Sequence, residues 1–124
     1  VADFTPMHTA NNKIKRTGDT LDICLKPTKD IAAHLGKIKS EGQFLVGFAL
    51  ETDNELENAQ LKLAKKNLDI IVLNSLNDKG AGFGYNTNKI TLVQRQGKIQ
   101  TYPLKTKMDV AKDILQALYE NFDV

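Results

Sequence analysis

Apolar and polar positions along this chain sort into segments with an alternating β/α order, and residues 44–74 organise it. Phe44-Leu-Val-Gly-Phe-Ala-Leu50 is a short, nearly continuous apolar run, which suits a strand buried on both faces. Thr52-Asp-Asn-Glu55 has the spacing of a capping box, so a helix is expected to start there and run to Asn67. Leu56, Ala59 and Leu63 recur at helical spacing, while Glu55, Glu57, Lys62 and Lys66 stay polar. Asp69 to Leu73 is a second apolar run of strand length. Strand, helix and strand in this order predict a βαβ unit whose two strands lie parallel.

The flanking segments extend this pattern. Residues 5–20 carry Pro6, Asn11, Asn12 and Gly18 without periodicity and read as a long loop, of a kind that is usually functional or mobile. Leu21, Ile23 and Leu25 alternate with Asp22, Cys24 and Lys26, which predicts a half-exposed strand. Pro27-Thr-Lys-Asp30 reads as a helix start, with Thr28 as cap, Asp30 in the first turn, and Ile31, Leu35 and Ile38 on one face. Residues 77–88 form a glycine- and asparagine-rich loop. Lys89–Gln94 and Lys98–Leu104 predict a hairpin turning through Gln96-Gly97. Thr106 to Asp109 caps a last helix, whose buried side is expected to hold Val110, Ala111, Ile114, Leu115, Leu118 and Phe122.

The expected fold class is therefore α/β. An open, mostly parallel sheet is flanked by helices in three layers, Rossmann-like or ribokinase-like, with an antiparallel hairpin at its edge. At 124 residues the chain suits one domain. Its opening, Val1-Ala-Asp-Phe-Thr-Pro6, reads as a strand end running into a loop, so the chain is expected to be a piece of a longer protein.

Composition narrows the chemistry. With 41% hydrophobic and 26% charged residues the chain is ordinary for a soluble globular protein. A formal charge of +2 argues against a general nucleic-acid binder. One cysteine, Cys24, excludes an intrachain disulfide and a cysteine-rich zinc site, and fits a reducing compartment, so cytoplasm is the expected location. No apolar run approaches the roughly 18 residues of a membrane span, so no membrane partner is expected.

Several residues stand out as candidates. Lys62 and Lys66, spaced i, i+4, project from one helical face; they suit a polyphosphate, or simply complement a helix C-terminus. Lys13-Ile-Lys-Arg16 is either a loop that closes over an anion or a solvated charge run. Asp3 lies just past a strand end, where open α/β sheets bind ligands; it could hold magnesium, bond a ligand or cap a turn. Gly80-Ala-Gly-Phe-Gly84 precedes a strand, whereas a dinucleotide fingerprint precedes a helix, so it reads as a plain loop. His8 and His34 lack metal-ligand spacing, and no protein-held metal is expected.

Taken together, the segments resemble phosphopantothenoylcysteine synthetase, the ligase part of a bacterial flavoprotein of coenzyme A biosynthesis. The markers are Val1-Ala-Asp-Phe4, Lys13-Ile-Lys-Arg16, Leu21-Asp-Ile-Cys-Leu-Lys26 before Lys29-Asp-Ile31, and Gly47-Phe-Ala-Leu-Glu-Thr52. Lys65-Lys-Asn-Leu-Asp69 and Phe83-Gly-Tyr-Asn-Thr-Asn88, followed by Ile90-Thr-Leu-Val93, complete the ordered set.

The resemblance implies the C-terminal portion of a synthetase that activates 4′-phosphopantothenate with CTP and Mg²⁺ as an acyl-cytidylate, then joins it to cysteine. It implies that Asp3 contacts the nucleotide and that Lys13 sits on a mobile, catalytic flap. Lys29, Asp30, Ile31 and Ala32 would form a nucleotide-binding helix start, Phe48 would pack in the nucleotide site, and Lys62 and Lys66 would contact the nucleotide. It also implies a homodimer, with FMN confined to a fused decarboxylase domain outside this chain, and a piece that is inactive by itself. A non-catalytic dimerisation or interaction module on the same scaffold, and an ATP-using ligase, are the alternatives left open.

Overall fold

The computed structural model describes residues 2–75, 77–81 and 84–121. They form two compact units, Val1–Ile31 and Ala32–Val124.

The first unit is a short ribbon. Strand β1 (Phe4–Pro6) pairs antiparallel with β2 (Leu25–Pro27), Phe4 opposite Pro27 and Pro6 opposite Leu25. The Met7 N–H donates to the Cys24 carbonyl at 2.9 Å, and the Thr28 N–H to the Asp3 carbonyl at 2.9 Å, so the ladder extends at both ends. The Thr28 hydroxyl donates to the Ala2 carbonyl at 2.7 Å. Thr28 therefore continues the ribbon instead of capping a helix. Helix α1 (Ile31–Ile38) opens after it with no acidic residue in its first turn, which leaves Asp30 outside. The strand expected over 21–26 is likewise reduced to Leu25–Pro27. Leu21, Ile23 and Leu25 are 64%, 62% and 51% exposed, so their alternation buries no face.

The second unit runs, after α1, through β3 (Val46–Glu51), α2 (Glu55–Lys65), β4 (Ile70–Ser75), β5 (Thr87–Asn88) and β6 (Ile90–Gln94). It continues with β7 (Ile99–Thr101), β8 (Lys105–Thr106) and α3 (Lys107–Asn121). The main sheet has the order β3-β4-β6-β7, and β5 pairs separately with β8. β3 and β4 are parallel, from Val46 opposite Ile70 to Glu51 opposite Ser75, with α2 between them in sequence. This is the expected βαβ unit. β6 reverses against β4, and β7 against β6, so the sheet is mixed and the hairpin forms its edge. Gly97, with φ of 88°, turns that hairpin, and the Gln94 N–H donates to the Lys98 carbonyl at 2.9 Å.

Strand alternation gives the sheet two different faces. Ala59 and Leu63 of α2 pack with Ala49, Ile71 and Leu73 on one of them. Val110 and Ala117 of α3 pack with Ile70, Val72 and Leu92 on the other. The result is three layers. β3 itself is an edge, with Ala49 buried and Phe44, Phe48 and Leu50 exposed by 43%, 69% and 37%. The expectation that it is buried on both faces does not hold, because a strand paired on one side only is less covered by the helices. On α3 the buried stripe runs through Val110, Ile114, Ala117 and Leu118, while Ala111 and Leu115 face solvent. Phe122 lies outside the described residues.

Individual side chains decide how the helices begin and end. Thr106 caps α3 as expected: its hydroxyl accepts from the Asp109 N–H at 3.2 Å and donates to the Asp109 carboxylate at 2.7 Å. The capping box at Thr52 does not form. Asn54 holds the N-cap in the left-handed region, φ 44°, without a side-chain cap bond. Glu55 turns instead to Ser75 and Asn77. At the far end of α2, Asn67 is left-handed (φ 53°), its N–H donating to Ala64 and that of Leu68 to Leu63, the two bonds of a Schellman ending.

That ending leads into a corner built around Asp69. Lys39 donates to both carboxylate oxygens at 2.7 Å, and the Leu45 N–H to Oδ2 at 2.8 Å. Asp69 N–H bonds the Leu45 carbonyl and its own carbonyl accepts the Arg95 N–H, both at 2.9 Å. Gly36 of α1 sits against the same corner: a Cβ there would lie 1.8 Å from the Lys66 carbonyl oxygen. The Asn67 amide donates to the Gly36 carbonyl at 2.6 Å.

Lys39 and Asp69 side chains are 15% and 12% exposed. Asp69→Ala, which strands the ammonium and the Leu45 N–H, is expected to lose about 3–5 kcal/mol in urea unfolding. Asp69→Asn should lose less, since its amide oxygen still accepts. The Asp109 carboxyl is held below its ordinary value, first by the Thr106 hydroxyl and then by Lys112. A depressed folded value stabilises the α3 start above the ordinary carboxylate range and is lost as pH falls through that folded value. Thr106→Ala should therefore move the Asp109 titration upward, as followed by NMR.

Candidate functional site

In open α/β sheets ligands meet the carboxyl ends of parallel strands. Here those ends belong to β3 and β4, and they differ on the two faces of the sheet. On the α3 side, Phe48 and Leu50 stand beside Val72 and Asn74. The ring of Phe48 is largely exposed, and the Asn74 Oδ1 accepts the Asn88 amide at 3.1 Å. Asn88 Oδ1 accepts the Lys89 N–H at 3.0 Å, which fixes that amide's orientation. An open aromatic face next to an oriented amide pair suits a flat, polar-edged ligand such as a nucleobase.

On the α2 side the rim is acidic and internally paired. Glu51 accepts the Lys62 ammonium on Oε1 and the Asn58 amide on Oε2, the latter at 3.4 Å. Lys62 is thus engaged with Glu51 on the face opposite Phe48, although its side chain remains 44% exposed. Lys66 is the C-cap of α2, about 6 Å further along the helix by its 1.5 Å rise per residue. It is half-buried and already has a partner. The structure therefore does not bring Lys62 and Lys66 together with Phe48.

In the first unit, the Thr28 bonds place Asp3 beside the segment that leads through Lys29 and Asp30 into Ile31. Ile31 and Ala32 are the first residues of α1, so the expected helix start exists and its leading backbone N–H groups are Ile31 onward. Lys13 lies in irregular backbone between β1 and β2 and is exposed. Beside it, residues 14–21 fold around a cleft of about 320 Å³. Arg16 meets Asp19 there at 3.4 Å and donates to the Gly18 carbonyl at 3.2 Å. Among the described residues no group of three or more His, Cys, Asp or Glu side chains could hold a metal ion. No helix among them is long and apolar enough to cross a membrane.

Sequence reasoning missed Asn74 and Asn88. Asn74 sits at the end of a hydrophobic run, where a polar residue signals the strand's exit to the rim. Asn88 hides in a loop whose asparagines are all compatible with turns.

Comparison with known proteins places this architecture. Residues 1–122 match the family model described as the DNA/pantothenate metabolism flavoprotein C-terminal domain. A protein named cysteine/cysteine sulfinic acid decarboxylase, from an unknown prokaryotic organism, is 57% identical over 95% of this chain and 33% of its own length. The coenzyme A biosynthesis bifunctional protein CoaBC of Bacillus subtilis is 44% identical over 95% of this chain and 29% of its own length. Among solved structures, the C-terminal domain of a coenzyme A biosynthesis bifunctional protein CoaBC superposes with a TM-score of 0.71 at 35% identity. That match covers 95% of this chain and 48% of the other. The chain thus spans about a third of the length of the curated relatives it matches.

Because the Phe48 ring is 69% exposed, Phe48→Ala should change unfolding free energy by less than about 0.5 kcal/mol. Denaturant melts of the two proteins check this. With stability unchanged, any effect of the variant on ligand binding reports a lost contact and not a lost fold.

Proposed function

This chain belongs to the family of the DNA/pantothenate metabolism flavoprotein C-terminal domain, and from that membership we propose that it is the C-terminal portion of a coenzyme A biosynthesis ligase. The reaction is the CTP-dependent joining of 4′-phosphopantothenate to cysteine. The substrate carboxylate attacks the α-phosphorus of CTP, forming an acyl-cytidylate and releasing pyrophosphate. The cysteine amine then attacks the acyl carbon, loses a proton, and CMP leaves. The observation that carries this reading is the ordered match over residues 1–122, together with the open Phe48 ring at the rim of the parallel pair.

The roles follow from charge and position. Lys13, on exposed irregular backbone, supplies positive charge to the triphosphate and its departing pyrophosphate. The leading N–H groups of α1 at Ile31 and Ala32, approached through Lys29 and Asp30, donate to an anionic group. Phe48 gives the base an aromatic face, with Asn74 beside it as a hydrogen-bonding edge. Lys62 keeps further donors beside its bond to Glu51 but stands on the face opposite Phe48, so we assign it and Lys66 a weaker part. Mg²⁺ neutralises triphosphate charge when bound. Asp3 contacts the nucleotide itself and is not assigned to the metal.

The whole protein's organisation is part of the same proposal. FMN and the decarboxylase domain that would hold it lie outside this chain; the 57% identical relative is itself named a decarboxylase. The protein is cytoplasmic, binds neither nucleic acid nor membrane, and forms a homodimer. The exposed Leu21, Ile23 and Leu25 side chains support dimerisation, as apolar surface that a second copy would cover. That same surface favours, as a second reading, a dimerisation module without chemistry; ATP use in place of CTP is the remaining variant.

Calorimetric titration with CTP and Mg²⁺ tests the proposal. Saturable CTP binding is expected, with ATP weaker and Lys13→Ala weaker by about tenfold, the scale of a lost charge-assisted contact. The chain by itself should release no CMP when given CTP, phosphopantothenate and cysteine. Equal heats for CTP, ATP and the variant would overturn the nucleotide assignment.

A further inference from the structure

Phe48 offers the proposed base a face, and Asn88, further from the ring, sets what meets the base at its edge. Phe48 stands directly across from Val72, and Asn74 is the next residue of β4 on the same face. One strand spacing of about 4.8 Å and one two-residue repeat of about 6.6 Å separate Phe48 from Asn74, roughly 8 Å between backbones. A pyrimidine stacked on the exposed ring reaches across that gap with its edge.

The Asn74 amide has an accepting end and a donating end, and a relay decides which one faces the ring. The Lys89 N–H donates to Asn88 Oδ1 at 3.0 Å. A backbone N–H can only donate, so the Asn88 oxygen is fixed there and its NH₂ goes to Asn74 Oδ1 at 3.1 Å. Turning Asn88 over would set two donors against each other, and its backbone is held opposite Lys105 in the β5–β8 pair. In a planar amide, oxygen and nitrogen stand on opposite sides. Asn88 closely precedes Ile90, the residue of β6 across from Asn74, so the relay arrives from the β6 side of β4. β3, with Phe48, lies on the other side. With its oxygen drawn toward β6, Asn74 turns its NH₂ toward Phe48. Both asparagines are half-buried, which raises the cost of a mismatched pair.

Cytosine meets such a donor with acceptors at N3 and O2, whereas uracil carries an N–H at N3. Adenine N1 also accepts, so uracil is the informative competitor. We propose that Asn88 is a positioning residue for base selection: it holds Asn74 with its NH₂ toward Phe48, and that donor favours cytosine over uracil. The inference rests on the nucleotide reading and adds to it a residue that acts through another.

Calorimetric titrations with CTP and with UTP, each with Mg²⁺, test it. Both carry the same triphosphate, so a change of charge near the site cancels in their ratio. The unaltered chain should bind CTP about tenfold tighter than UTP, the scale of one mispaired polar contact. Asn88→Asp keeps the shape and the acceptor for Lys89 but offers Asn74 a second acceptor. Asn74 should then turn over, present its oxygen to the base, and prefer UTP. Asn74→Asp presents an oxygen without turning and should shift the preference the same way. Amide spectra of the ¹⁵N-labelled variants check that the fold is kept. If Asn88→Asp does not fold, Asn88→Ala replaces it, with the preference expected to fall toward parity. An unchanged CTP-to-UTP ratio in the folded Asn88 variant would overturn the inference alone, since CTP binding still supports the nucleotide reading. Absence of CTP binding to the unaltered chain would overturn both.

Discussion

The carboxylate of Asp69 is the constraint from which the second unit is built. A largely buried charge is tolerated only when it is paired and its lone pairs are filled. Asp69 meets that condition by drawing in Lys39 from beyond α1 and the backbone of Leu45 just before β3. Its own backbone holds Arg95 just after β6. Three separate stretches of chain are thereby fixed at the amino end of one strand. With that end pinned, the register of β3 on β4 is set, and so is the position at which both strands stop.

Where they stop, the two faces of the sheet have been given different tasks. On the α2 side, carboxylates are matched by hydroxyl, amide and ammonium partners, and Lys62 is drawn into that network through Glu51. On the α3 side, Phe48 is largely exposed and Asn74 is oriented by Asn88. Burial of the strand's middle supports both, since Ile71 and Val72 face opposite helices from adjacent positions. A single strand with period two is enough to keep a paired acidic network and an open aromatic surface from interfering with each other.

The long-range plan was legible in the sequence because periodicity reports burial directly. The βαβ unit, the hairpin turning at Gly97 and the Thr106 cap each stand where the pattern places them. Local signals failed where a side chain had two possible partners. Thr28 has the right spacing for a cap and is taken by the Ala2 carbonyl; Glu55 has the right spacing for a capping box and is taken by Ser75. The same limit applies to the candidate site. Spacing shows that Lys62 and Lys66 share a helical face, but not that Glu51 holds the first of them. Lys65-Lys-Asn-Leu-Asp69, read as a family marker, is in geometric terms a helix ending plus a charged corner. Asn67 is there for its left-handed backbone and its two amide bonds.

The contact between Gly36 and the Lys66 carbonyl bears on the order in which the protein can be made. α1 leaves the ribosome about thirty residues ahead of the corner that receives it, at a time when isolated helices this short are barely stable in water. Its seat exists only once α2 has ended and Asn67 has turned the chain. Docking of α1 therefore has to follow the ending of α2 at Asn67.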